Sequence, residues 1–480
     1  MQSYDLVVIG SGPAGQRGAV QAAKLGKRVA VIEKRRDMGG VCINTGTIPS
    51  KTLREAVLDL SGYRQRELYG ADHRVRQEIT VQDLFYRTNA VMTREREVIR
   101  SQLQRNGVRL IAGTGAFAGP HEITVDDGES TQSIQADYVL IAVGTRPGLP
   151  TGLAVDHERV LTSDDILALP RLPRTMTVVG AGVIGVEYAT LFAVLGVEVT
   201  LMDKRGSMLE MVDRELVDAL THQARQMNVT LRLGEEVSKL EMGAAGGVIV
   251  GMKSGKRHAT EMVLVSAGRQ GMTEGLNLDR AGLTSDDRGR ITVNDSYQTA
   301  TSHIYAAGDV IGFPALASTS AEQGRLSACH MFGVEARSVP ALFPFGIYAV
   351  PEIAWVGKNE EELTGEGVPF ETGVARYEEI ARGHILGDDA GMLKLIFHLD
   401  TQQILGVWVI GTQATELVHI GQAVMSLGGT LEYFVSTVFN YPTLAECYKV
   451  AALDGYNKLR DLSRVGRAMP PPAVPPGAIS

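Results

Sequence analysis

The chain opens on a continuous apolar run, Leu6-Val7-Val8-Ile9, which is broken at once by Gly10, Gly12 and Gly15. A run without polar alternation is what a strand buried on both faces of a parallel sheet requires. Residues 13–25 then read as a helix, and Arg28 to Ile32 returns to an apolar strand. The spacing between 81 and 107 predicts a long helix, because its apolar positions recur about every seven residues with charges between them. Short strands are expected near 108–112, 122–125 and 134–142, as a small antiparallel insertion. At 176 the opening pattern restarts, with the strand Thr177-Val178-Val179, glycines at 180, 182 and 185, a helix to about 195 and a strand from Glu198 to Met202. The unit that turns at Gly10 thus recurs at Gly180, 170 positions later. Prolines at 150, 170 and 173 mark 148–174 as the joint between the two copies. From about 346 the grammar changes. Strands around 352–356, 370–376, 392–398 and 404–410 mix with helices around 414–427 and 443–459, the pattern of an α+β domain.

The expected fold is therefore α/β, with two Rossmann-like dinucleotide-binding domains and a C-terminal α+β domain. The boundaries predicted are 1–149 and 276–345 for the first dinucleotide domain, 150–275 for the second and 346–465 for the α+β domain. The proline-rich stretch 466–480 is expected to be a disordered tail.

Composition narrows the function classes. A length of 480 residues suggests three or four domains. The net charge of −8 argues against a nucleic-acid surface, and the basic triple Lys34-Arg35-Arg36 is bracketed by Glu33 and Asp37 as a solvated loop would be. Three cysteines, at 42, 329 and 447, cannot make a disulfide framework at this size. No apolar stretch approaches the ~18 residues of a membrane span, and the run after the N-terminus is too short for a signal peptide. No histidine or cysteine spacing reads as a metal site. A cytoplasmic protein with neither nucleic-acid nor membrane partner is expected, and Cys329 and Cys447 read as core.

The motif Gly10-Ser-Gly12-Pro-Ala-Gly15 follows a strand, opens a helix and is answered by Glu33, 18 residues past Gly15. Glycines there allow a tight turn, backbone approach to a pyrophosphate and close helix–strand packing, while the acid accepts from a ribose. Gly180-Ala-Gly182-Val-Ile-Gly185 repeats this with Asp203, again 18 residues on. Two such fingerprints imply two dinucleotides, as a carrier passing hydride between molecules needs.

The segment Gly39-Gly40-Val-Cys42-Ile-Asn-Thr-Gly-Thr47-Ile-Pro-Ser-Lys51 resembles the redox segment of the two-dinucleotide flavoprotein disulfide reductases. Ala306-Ala-Gly308-Asp309, Leu316-Ala317-Ser318, Val139 to Pro147, Val263 to Arg269 and Gly346 to Glu352 are similar to further segments of that family. The resemblance implies FAD, held by Gly10, Gly12, Gly15, Glu33, Gly39, Gly40, Cys42, Lys51, Gly115, Asp309 and Ala317. It implies NAD(H) or NADP(H) at Gly180, Gly182, Gly185, Glu187, Asp203, Lys204, Arg205 and Gly268. Lys51 and Glu187 take the catalytic positions, as an ion pair beside the flavin. The C-terminal domain is implied to dimerise, with a larger homo-oligomer left open.

Two departures bear on function. Thr47 stands where the family has its second redox cysteine, and a hydroxyl cannot form a disulfide. Asn440-Tyr441-Pro442-Thr443 stands where the family has a His-Pro base, leaving Glu446 without the histidine it would orient. These forms, with Phe313 to Ser318 and His419 to Ala423, resemble the branch of the family that exchanges hydride between NADPH and NAD⁺ through bound FAD. Such a transhydrogenase is the expected activity. A diaphorase passing electrons from NAD(P)H to a quinone or dye remains open, as does a non-catalytic flavin-binding scaffold. Cys42 either packs on the flavin or keeps a redox role. Asp203 is the residue type that holds an unphosphorylated ribose, while Lys204 and Arg205 are either cations for a 2′-phosphate or two solvated basic residues of an NAD enzyme.

Overall fold

The computed structural model describes residues 2–70, 73, 75, 76, 78–150, 152–243, 246–336 and 342–464. The expected tail, 466–480, lies outside them. Of the five sheets among the described residues, the three largest organise the fold. In the first, the strand Gln2–Ile9 lies parallel to Val29–Glu33 on one side and to Thr131–Ile141 on the other, placing Val8 opposite both Val31 and Leu140. Leu6, Val7 and Val8 are fully buried, as their unbroken apolar run requires. Ile304–Ala306 returns late in the chain to pair parallel with residues 139–141. The helices Pro13–Lys24 and Ala317–Met331 press together through glycine, since a Cβ at Gly324 would lie 2.0 Å from the Ala14 carbonyl oxygen. This contact brings the glycine turn and the residues after Asp309 around one cavity.

One expectation about this sheet needs correction, and one of its strands is unexpected. Arg109–Ala112 is not part of an antiparallel insertion. It pairs parallel with Val29–Glu33 as an edge strand, reached through the long helix Val81–Arg105. An edge strand has one open flank, and its mixed exposure hides the parallel pairing from a polarity pattern. The antiparallel pairs are instead made by Thr114–Gly119, Glu122–Asp126 and the start of Thr131–Ile141. Thr114–Gly119 escapes sequence reading because Thr-Gly-Ala-Phe-Ala-Gly is poor in strand formers.

The second sheet is all parallel, in the order Thr230–Leu233, Glu198–Asp203, Thr175–Val179, Met262–Val265, Val160–Thr162. The proline-rich stretch expected as a plain joint therefore contains an edge strand, three buried residues long. The helix Val183–Val194 buries nearly every residue, Glu187 and Thr190 included. A helix buried on all sides is covered by more than its own sheet; here the helix Thr47–Ser61 and the chain around 348–350 supply the cover. The third sheet is antiparallel, with Phe345–Ile347, Ile353–Gly357, Ile404–Ile410, Met392–His398 and Phe370–Arg376 in that order, flanked by the helices Ala414–Ser426 and Glu446–Arg464. No helix of the described residues is long and apolar enough to cross a membrane.

Lys394 ties the third sheet to the second. Its side chain is 1% exposed, and its ammonium is shared by Asp213 at 3.1 Å, Glu215 at 3.2 Å and Glu360. Asp213 also caps the helix Arg214–Gln226 and is equally buried. Removing one member of a buried pair leaves the other charge uncompensated, at a cost of about 3–5 kcal/mol. Lys394→Met is therefore expected to lose about that much stability, read as a lower denaturant midpoint. A loss near zero would mean that water already solvates Asp213.

Candidate functional site

A cavity of about 1140 Å³, counting its open mouth, runs along the carboxyl end of the first sheet. Of the residues predicted to hold FAD, Gly10, Gly12, Glu33, Gly40, Cys42, Gly115, Asp309 and Ala317 line it. Gly15, Gly39 and Lys51 do not. Gly15 packs the helix onto the turn, because a Cβ there would lie 2.0 Å from the Gly10 carbonyl oxygen. Gly39 has φ +108°, with the Ile43 side chain where a Cβ would point. Lys51 sits one turn beyond Thr47 on the helix Thr47–Ser61 and reaches toward the second sheet instead.

The lining fits a flavin dinucleotide. Open space lies where a Cβ at Gly12 would point, and the helix that Gly12 caps has no side-chain cap, so its first N–H groups are available to a pyrophosphate. The Glu33 carboxylate is fixed by the Ser11 N–H at 3.0 Å, the Ser11 hydroxyl at 2.6 Å and the Arg35 N–H at 2.9 Å, and retains accepting capacity for a ribose. Asp309 is steadied by the Thr145 hydroxyl at 3.2 Å, which itself accepts from Arg269 Nε at 2.7 Å. Sequence reasoning missed Ser11, Thr145 and Arg269 as supports. Arg269 and Thr145 lie 124 residues apart, and only the folded chain joins them.

The second fingerprint has the same geometry, 170 positions on. Gly180 has φ +110°, Gly185 packs against the Gly180 carbonyl, and the space above Gly182 and Gly268 is open. The acid differs. Asp203 accepts from the Ala181 N–H at 2.6 Å, the Arg205 N–H at 2.9 Å, and the Arg205 guanidinium at 3.0 Å and 2.6 Å. Burial pushes this carboxyl up, but the Arg205 and backbone hydrogen bonds outweigh it and hold it below the usual range. All the strong accepting positions of Asp203 are taken, so a ribose must displace the Arg205 fork. Lys204 is exposed and has no ion pair among the described residues.

The predicted catalytic residues meet. Lys51 Nζ lies 3.0 and 2.9 Å from the two carboxylate oxygens of Glu187, although 136 residues separate them. Nearby, Cys42 is a free thiol, and it lines the cavity together with Thr47. Burial raises its pKa, only partly opposed by the neighbouring Thr47 hydroxyl, so the nucleophilic thiolate is disfavoured. Tyr441 is 68% exposed, and Glu446 keeps one carboxylate oxygen buried with no hydrogen-bond partner among the described residues. Cys329 and Cys447 are buried.

Comparison with known proteins agrees with this geometry. Residues 4–324 match the family described as pyridine nucleotide-disulphide oxidoreductase, and residues 343–452 match its dimerisation domain. Over 469 residues the chain is 55% identical to a soluble pyridine nucleotide transhydrogenase of Mycobacterium tuberculosis, covering 97% of this chain and 100% of that one. It is 44% identical over 461 residues to a protein of the same name from Serratia proteamaculans, covering 95% and 98%. Among solved structures, LpdA from M. tuberculosis superposes with a TM-score of 0.86 at 28% identity, over 94% of this chain and 99% of that chain. The HOCl-induced flavoprotein disulfide reductase RclA from Escherichia coli does so at 0.84 and 26%, with the same coverage. With both halves matched along most of its length, the chain belongs to the pyridine nucleotide-disulphide oxidoreductase family.

Proposed function

We propose that this protein is an FAD-dependent transhydrogenase that moves hydride between NADPH and NAD⁺, and so balances the two nicotinamide pools. The observation that carries the reading is the Cys42–Thr47 pair in the cavity wall. A hydroxyl and a thiol that burial keeps from ionising stand where a disulfide would be needed to relay electrons onward. The full-length relatives named as transhydrogenases support the same conclusion. When bound, FAD supplies a two-electron acceptor and donor of hydride.

The chain's own residues bind and orient. Gly10, Gly12 and Glu33 hold the adenosine diphosphate part of the flavin nucleotide, and Asp309 holds its polyol chain. Gly180, Gly182 and Asp203 hold the nicotinamide nucleotide, and the Lys51–Glu187 pair sets the charge between the two sites. Positioning of this kind is enough to speed hydride transfer by several orders of magnitude. We assign residues 1–149 and 276–345 to the flavin domain, 150–275 to the nicotinamide domain and 346–465 to dimerisation. A cytoplasmic homodimer is proposed. Leu427, Val438 and Tyr441 expose apolar surface on the last domain, as a face awaiting a second copy would.

Two outcomes are expected. Cys42→Ala should retain most NADPH-to-NAD⁺ transfer, and neither it nor the parent should reduce lipoamide or glutathione disulfide at a useful rate. Disulfide turnover abolished by Cys42→Ala would contradict the reading. Nucleotide choice should depend on the Asp203–Arg205 fork. A lost charge-assisted contact costs about 1.5–3 kcal/mol, or about ten- to hundredfold in affinity. Replacing Lys204 and Arg205 by Gln should lower kcat/KM for NADPH by that factor. NADH should be spared, because Asp203 is then free for the ribose. Asp203→Asn should weaken NADH more than NADPH. Equal losses for both nucleotides in the basic double variant would place the phosphate-reading residues elsewhere.

A further inference from the structure

The segment 348–352 straps the helix Thr47–Ser61 to the helix Val183–Val194. The Tyr348 N–H donates to Glu187 Oε1 at 2.8 Å, and the Val350 N–H donates to the Thr190 hydroxyl at 3.1 Å, so two side chains three residues apart on one helix hold the strap. On the other side, Arg54 Nε donates to the Ala349 carbonyl at 3.1 Å, three residues along from Lys51. The backbone at 348 is therefore fixed from both flanks. Its side chain carries a ring whose centroid lies 4.9 Å from Lys51 Nζ. Two of the three ammonium hydrogens are engaged by the two oxygens of Glu187, and the ring face covers part of what remains. Glu352, at the end of the strap, accepts from the Thr415 hydroxyl at 2.8 Å and pairs with Arg54 at 3.2 Å. Strap, ring and both helices form one closed network.

We infer that Tyr348 is a positioning residue for the Lys51–Glu187 pair, holding the ammonium by its ring face and the carboxylate by its backbone N–H. The ring thereby sets how much positive charge is presented toward the flavin. This rests on the transhydrogenase reading above only in requiring that FAD binds beside Lys51. Lys51 is 26% exposed, so an ammonium released from the ring has solvent to turn to. A cation fixed near the flavin favours the extra negative charge of its reduced form. Loss of the ring should weaken that preference. A cation–π contact of this kind is worth roughly two- to thirtyfold.

The test is the two-electron reduction potential of the flavin-loaded protein, measured by equilibration with a reference dye, for the parent, Tyr348→Phe and Tyr348→Leu. Tyr348→Leu is expected to shift the preference for reduced flavin about tenfold, which is about 30 mV more negative for a two-electron couple. Tyr348→Phe keeps the ring and should match the parent. In a Lys51→Met background, Tyr348→Leu should add no further shift. Pentafluorophenylalanine at 348 preserves shape while removing the negative ring face, and should reproduce the Leu shift even where the Leu variant folds poorly. An unshifted potential in Tyr348→Leu or the fluorinated variant overturns the inference. So does an equal shift in Tyr348→Phe, or a shift that persists without Lys51. A parent protein that binds no FAD overturns the functional reading itself, whereas a flavin-loaded parent with unshifted variants overturns this inference alone.

Discussion

A carboxylate buried on a helix that is covered on all sides must find a cation, and Glu187 finds Lys51. That requirement shapes the middle of the molecule. Glu187 is supplied by the helix that follows the second glycine turn, and Lys51 by the helix that follows the Cys42–Thr47 segment. The pair can close only when the helix Thr47–Ser61 packs against the helix Val183–Val194 of the second sheet. The strap at 348–352 donates one of its own N–H groups to the same carboxylate. Separating any one layer would leave a buried charge unpaired, a penalty of several kcal/mol. The same logic recurs at Lys394, where one buried ammonium is shared by three carboxylates across another layer boundary. Ionic contacts thus fix the relative placement of layers whose separate cores are apolar.

That placement carries the chemistry. Hydride exchange between two nucleotides asks little of acid–base groups and much of orientation. The protein accordingly invests in glycine turns, uncapped helix N-termini and acids at strand ends. The groups that a disulfide-reducing relative uses for its second half-reaction are changed in kind. A thiol disfavoured as a thiolate sits beside Thr47, and an exposed phenol stands where an imidazole would serve. The two nucleotide acids also differ in a way that fits their tasks. Glu33 is held by a serine and backbone and keeps room to accept. Asp203 is closed by an arginine fork, which in the proposed function would open to admit a ribose, as suits a site that different nucleotides enter in turn.

Much of this was legible in the sequence where the signal is local. The apolar runs at 6–9 and 177–179, the glycine spacings, and the long helix at 81–105 follow from period and turn chemistry, and all appear where expected. Of the candidate residues, Glu33, Cys42 and Asp309 meet at one cavity, and Lys51 meets Glu187. What local signal cannot carry is long-range pairing. Arg109–Ala112 reads as an antiparallel strand because an edge strand alternates whichever way its neighbour runs. Val160–Thr162 hides among prolines, because three residues show no period. Tyr348 lies in the segment 346–352 that resembles the family, but the resemblance gives it no role. Its importance comes from the two helices that clamp the backbone on either side of it.

In the proposed reaction, electrons arriving from one nicotinamide nucleotide leave only to another. The most direct test is anaerobic. The flavin-loaded protein is reduced with NADPH, freed of excess nucleotide, and mixed with NAD⁺ while flavin absorbance and NADH are followed together. The account predicts that the yellow colour returns and that NADH appears in proportion to flavin, with Cys42→Ala behaving as the parent does. Flavin that stays reduced in NAD⁺ but reoxidises promptly with a disulfide or a quinone would contradict it.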